Sequence, residues 1–331
     1  MPSQAAAAPR SPDLAHLPDP LADQLELLRQ QIGAAAAAPP ADQLELLRQQ
    51  IGDVVTTPPA PISKAAQLLL PYTRQNPPLP NAILRAALFP SLPPDGHRPI
   101  LKDSPLWCVD GLSVTFSGER FDQRDLDVLL GIFEIGRYEP LGCSFDFSAY
   151  ALLRLLGRET GKANHDDLRL AVKRLILGHV EIRQKINGRK WFLGALLMTG
   201  KHDESLQYSV RVNADLAVMF GFGLWTSVDL AERKALGRNQ VAKVFHLYYS
   251  SHVQPSTHSY ETLAALAALQ SSQSKHTRAV IRKAHEKLKQ TKFLRDYTAD
   301  LHGVTVVKAR ETPSQKRHAA KRKRASQPPL K

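Results

Sequence analysis

Residues 145–197 read FDFSAYALLRLLGRETGKANHDDLRLAVKRLILGHVEIRQKINGRKWFLGALL, and the order of patterns in this stretch decides the fold. Phe145-Asp146-Phe147 alternates as a short strand does. Ser148 to Leu156 has helical spacing and is closed by Gly157. From about Asn164 to Gly178 a second helix carries Leu168, Val172, Leu175 and Ile176 on one face. Strand, helix, turn, helix is the core of a helix-turn-helix. Beyond it, Val180–Ile186 and Arg189–Leu197 are strand-like and meet at Asn187-Gly188, a dipeptide that favours a tight hairpin. That hairpin is expected to be the wing of a winged helix.

Working outward, Gly111–Ser117 alternates like a strand. Asp122–Gly136 places Leu126, Leu129, Leu130 and Phe133 at helical spacing behind Asp122 as N-cap. Leu206–Val212 reads as a further strand, and Ala214–Phe220 as a short helix that runs into the Gly221-Phe222-Gly223 break. The same order then returns. Asn239–Ser251 is amphipathic, Ser259–Leu269 is a short helix capped by Ser259, and Lys275–Gln290 is a longer helix. Phe293–Thr298 and Val304–Lys308 can pair as a second wing around Asp300–Gly303. The expected architecture is α+β, with two tandem winged-helix domains at residues 79–222 and 223–308.

The flanks have a different composition. Residues 1–78 are rich in Ala and Pro, and pairs such as Pro39-Pro40 and Pro58-Pro59 cannot sit inside helices or central strands, so a disordered arm is expected. The arm holds an internal duplication: Ala22–Gly33 and Ala41–Gly52 both read ADQLELLRQQIG. The last segment, 309–331, is a basic tail expected to be disordered.

Charge is distributed unevenly. Residues 1–270 carry 27 Lys+Arg and 27 Asp+Glu, whereas residues 271–331 carry 17 and 4, so the whole net charge of +13 belongs to the last sixty-one residues. Such a segment attracts a polyanion, because cations that neutralise phosphates release condensed counterions. Double-stranded DNA is the expected partner. Cys108 and Cys143 form no metal-ligand spacing, and no Walker-type loop, HExxH or GxSxG occurs. No enzyme, metal site or cofactor is expected. No apolar run is long enough for a membrane span, and a cytoplasmic location is expected.

In a helix-turn-helix the second helix enters the major groove, where cations and amides read base edges. The 275–290 helix suits this role, with Lys275, His276, Thr277, Arg278, Arg282 and Lys283 expected outside and Val280, Ile281, Ala284 and Leu288 inside. The first helix of this kind is nearly neutral, since Asp166 and Asp167 accompany Arg169, Lys173 and Arg174, and its role is either structural or DNA-contacting. The hairpin after it brings Lys185, Arg189 and Lys190 to one turn, a candidate phosphate contact. The run Lys316–Arg324 either adds phosphate contacts without sequence information or is a solubilising end.

Each arm repeat contains QLELL: Gln24, Leu25, Leu27 and Leu28, then Gln43, Leu44, Leu46 and Leu47. A Gln followed by spaced leucines resembles the peptides that dock in the bacterial sliding clamp, although the final Leu stands where Phe is more usual. The other reading is a short amphipathic helix with Leu25, Leu28 and Ile32 on one side.

Over roughly residues 79–308 the chain resembles the TrfA-type plasmid replication initiators. The segments that carry the likeness are Ala82–Phe89 (AILRAALF), Val114–Gly118 (VTFSG), the order of helices and hairpin through Trp191, Val218–Phe220, and Val244–His252 (VFHLYYSSH). The resemblance implies two winged helices, binding to the direct repeats (iterons) of a plasmid origin, local duplex opening, plasmid copy control and a monomer–dimer equilibrium. It also implies recruitment of host factors: the sliding clamp, the replicative helicase and DnaA. A transcriptional repressor of winged-helix type and a scaffold that acts through its arm are the rival readings.

Overall fold

The computed structural model describes residues 69–72, 76–93, 97–109, 111–185, 187–202, 206–220, 225–252, 256–270 and 274–310. The QLELL copies (Gln24, Leu25, Leu27, Leu28, Gln43, Leu44, Leu46, Leu47), the Gly221–Gly223 break and the Lys316–Arg324 run lie outside these residues. The chain divides into residues 1–65 and 66–331, and all that follows concerns the second unit.

It begins with β1 (Pro78–Pro80), the one-turn helix α1 (Asn81–Leu84), and the antiparallel pair β2 (Ile100–Leu106) and β3 (Leu112–Glu119). Helix α2 (Gln123–Ile135) starts at a reciprocal cap. The Asp122 carboxylate accepts the N–H groups of Arg124 (2.8 Å) and Asp125 (3.2 Å), and Asp125 reaches back to the N–H of Asp122 (2.9 Å). After β4 (Ser144–Ser148), Ser148 caps α3 (Ala149–Leu155), and Gly157, at φ +67°, turns the chain toward α4 (Lys162–Leu177).

The following hairpin, β5 (His179–Gln184) with β6 (Lys190–Gly194), does not join β4. It completes a four-stranded antiparallel sheet in the order β2-β3-β5-β6. A Cβ at Gly178 would run into the Phe121 ring, so only glycine lets the chain pass from α4 into this sheet. At Gly194 (φ +140°) the chain leaves that sheet. It forms β7 (Leu197–His202) and β8 (Gln207–Val212), which pair with β4 in the order β4-β8-β7. The expected single strand Arg189–Leu197 is therefore two strands in two sheets. The hairpin that pairs with β4 and packs on α4 is β7–β8, not the one turned at Asn187-Gly188.

Helix α5 (Leu216–Phe220) and β9 (Trp225–Ser227), paired with β1, end the first core, which takes in Val228 and also Leu247. Helix α6 (Leu230–Ala235), which the periodicity does not announce, is capped by Asp229 and leads to α7 (Gln240–Ser250), capped by Asn239. Then come β10 (Ser256–Ser259), α8 (Tyr260–Leu266) capped by Ser259, α9 (Lys275–Gln290), β11 (Leu294–Ala299) and β12 (Gly303–Lys308), with sheet order β10-β12-β11. Helix, strand, helix, helix, strand, strand thus occurs twice, from α2 to β8 and from α7 to β12. In each copy the last strand lies between the other two. The β2-β3-β5-β6 sheet is an addition to the first copy. The second core runs from Leu236 to Val306.

Candidate nucleic-acid interface

The inner face of α9 buries Thr277, Ile281, Ala284, His285 and Leu288. One helical turn is 3.6 residues, so the opposite stripe is Lys275, His276, Ala279, Arg282, Lys283, Glu286 and Lys289, all exposed. Two of the expected contact residues lie off this stripe. Thr277 is only 4% exposed because it shares the core face with Ile281 and Ala284. The guanidinium of Arg278 lies over the Tyr260 ring, 4.9 Å from its centre, and so ties α9 to α8 across the turn.

The stripe is also graded along its length. Glu286 accepts from the Tyr297 hydroxyl (3.2 Å), and Lys289 bridges Asp296 (2.9 Å), so strand β11 occupies the C-terminal half of the stripe. Lys275, His276, Arg282 and Lys283, in the N-terminal two and a half turns, make no ion pair with another described residue. In helix-turn-helix complexes generally, the N-terminal part of the second helix is the part that reaches base edges.

Beneath α9 lies an aromatic and histidine cluster. His285 Nδ1 donates to the Ile281 carbonyl (2.8 Å), which leaves Nε2 to accept from the Tyr249 hydroxyl (2.7 Å). Burial pushes His285, His252 and His258 each down to about 4, so the rings are neutral at ordinary pH. Lys308 is buried and donates to the carbonyls of Tyr249 (3.0 Å) and His252 (2.6 Å), which fixes the end of β12 to α7.

The matching helix of the first copy presents another surface. Lys162, Asp166, Asp167, Arg169, Leu170, Lys173 and Leu177 are exposed on α4, with Arg169 4.0 Å from Asp166 and Leu177 64% exposed. Lys173 is outside as expected, but Arg174 is not. Its guanidinium is buried, donates twice to Asp125 (2.8 and 3.0 Å) and lies 3.3 Å from Glu119. Asp125 and Asp122 also bind Arg98, each at 2.8 Å, so Arg174 is part of a buried ionic cluster that joins α4 to the start of α2. Held this way, Arg174 presents no exposed guanidinium on α4.

Lys185, Arg189 and Lys190 are exposed around the β5–β6 turn, where Glu181 accepts from Arg183 (2.6 Å) and lies 3.5 Å from Lys190. The hydrogen bond from Arg183 holds the Glu181 carboxyl below its usual range. These cations belong to the added sheet, away from the β7–β8 hairpin.

No family model matches the chain, and no curated protein matches it in sequence. In structure it is similar to domains 2 and 3 of RctB. One crystal structure of that pair aligns with a TM-score of 0.46 and 11% identity, over 67% of this chain and 95% of that chain. A second crystal structure of domains 2-3 aligns with a TM-score of 0.45 and 11% identity, over 66% and 95% respectively.

Among the described residues no helix is long and apolar enough to cross a membrane, and no group of His, Cys, Asp and Glu is placed to hold a metal ion.

Proposed function

We propose that this chain is a replication initiator of the plasmid type that binds double-stranded DNA through two winged-helix units and reads sequence with α9. The observation that carries the reading is the exposed stripe Lys275, His276, Arg282 and Lys283. It lies on the second helix of a helix-turn-helix whose opposite face is buried, with the Arg278–Tyr260 stack bracing the turn. In a major groove Arg282 and Lys283 supply donors to guanine O6 and N7, and Lys275 meets a phosphate. In this reading the first unit adds Lys173 and the Lys185, Arg189 and Lys190 turn as backbone contacts only. The TrfA-like segments Ala82–Phe89 and Val244–His252 extend the reading from DNA binding to origins.

The test is selection of duplexes from a random library by the full chain, followed by gel shifts with Arg282→Ala and Lys283→Ala. Each lost base contact is expected to cost about 1–3 kcal/mol on the selected site, with a weaker effect on mixed-sequence DNA. Selected sequences that occur as tandem repeats beside an AT-rich segment support initiation. A single palindrome favours a repressor, and no selected sequence at all overturns the reading.

A further inference from the structure

The hairpin β11–β12 ends in Asp300-Leu301-His302-Gly303. The Asp300 carboxylate accepts the N–H groups of His302 (2.8 Å) and Gly303 (2.9 Å), and the Asp300 N–H donates to the Gly303 carbonyl (3.0 Å). A turn locked this way needs Asp at its first position and Gly at its last; the middle positions accept most residues. The one next to Asp300 nevertheless carries a leucine that is 79% exposed. The root of the hairpin is equally fixed. Gly303 pairs with Ser259, and a Cβ there would run into the His258 carbonyl.

This projection is indexed to α9. Tyr297 and Asp296 of β11 hold Glu286 and Lys289 on the outer stripe of the helix. From Tyr297 the strand advances about 3.3 Å per residue, so the turn stands roughly 10 Å beyond that contact. His302 is exposed in the turn itself. The major groove is about 12 Å wide and the minor groove about 6 Å, so an arm of that reach, fixed to a helix in the former, meets the latter. Ile100 and Tyr138 are as exposed as Leu301, but neither lies in the repeat that carries the basic stripe.

We propose that Leu301 is an apolar wedge which enters the minor groove of duplex DNA and unstacks a base step next to the site read by α9. The proposal rests on the reading of α9 as a major-groove helix. Leucine between base steps kinks and partly unstacks DNA in other minor-groove binders. A step weakened beside a bound site is where strand separation starts at the lowest cost.

The experiment uses the full chain and a duplex recovered by the selection above, with 2-aminopurine placed in turn at each position flanking the site. Wild type is expected to raise the fluorescence at one step. Leu301→Ala is expected to abolish that rise and weaken binding about tenfold. Leu301→Met, which keeps an apolar wedge, should retain the signal. Leu301 is exposed, so the variants keep the fold, which circular dichroism checks. Equal affinity and equal fluorescence for wild type and Leu301→Ala overturn the wedge while leaving α9 as the reader. Absence of any recovered duplex overturns the reading beneath it and the wedge together.

Discussion

His285 sits under the basic stripe with both ring nitrogens engaged, one donating to Ile281 and one accepting from Tyr249. A second proton would have to displace the tyrosine hydroxyl inside the core. His258 is 8% exposed and stacks near Tyr249 and His252, at 5.3 and 5.2 Å between ring centres. All three histidines fall from about 6.5 unfolded to about 4 folded, so between these values the unfolded chain binds more protons. Stability is therefore full above about pH 6.5 and is lost as pH falls toward 4, by about 3 kcal/mol for a fully buried ring such as His285. Urea titrations of the second repeat's near-ultraviolet signal at pH 7, 6 and 5 should show falling midpoints. His285→Gln should flatten that slope, and an unchanged slope would remove the histidine from the account.

At the scale of elements, α4 and α9 occupy the same place in the repeat and differ in what they expose. Helix α9 was legible end to end, because its apolar positions recur at helical spacing and its cations fill the gaps between them. Which cations remain outside was not legible. Thr277 is inside because of the phase of the helix, and Arg278 is drawn to Tyr260, a partner on another helix. Arg174 pairs with Asp125, 49 residues upstream, a partner that no local pattern announces. The β6–β7 break was hidden for a similar reason. The run from Trp191 to Leu197 keeps a strand-like pattern while changing sheets, and only the non-local pairings of β3 with β5 and of β4 with β8 reveal it. The consequence for Arg174 can be measured. Arg174→Met leaves Asp125 buried with Arg98 alone and is expected to cost about 3–5 kcal/mol of folding stability. Binding to a selected duplex, measured well below the melting temperature, should be nearly unchanged. A loss of affinity with unaltered stability would restore Arg174 to the interface.

At the scale of the whole molecule, the two repeats are joined by a buried charge. Asp127 of α2 accepts from Arg233 of α6 (2.5 Å) and from Lys243 of α7 (2.7 Å), with Arg158 at 3.9 Å. Arg233, only 2% exposed, also donates to the side chain of Gln123 (2.7 Å) and to its carbonyl (3.2 Å). Burial alone would raise the Asp127 carboxyl, but Arg233 and Lys243 hold it below its usual range. Around this hub Arg85 donates to Ser251 (3.1 Å), the N–H of Ser91 to the Ala267 carbonyl (3.2 Å), and Trp107 and Val109 pack on the second core. An ionic joint of this kind adds little net stability over an apolar one but accepts few alternative geometries. The joint is expected to set the orientation of the first repeat relative to the second. Asp127→Asn keeps the shape and removes the charge that Arg233 and Lys243 share, at an expected cost of about 3–5 kcal/mol. Spin labels at Lys173→Cys and Lys283→Cys, with Cys108 and Cys143 replaced by Ala, report the result directly. The parent should give one narrow distance distribution, and Asp127→Asn a broad one at retained helix content. If the distribution stays narrow, the apolar contacts of Trp107 and Val109 fix the repeats without the hub. If it broadens, a single carboxylate sets the angle between the two repeats.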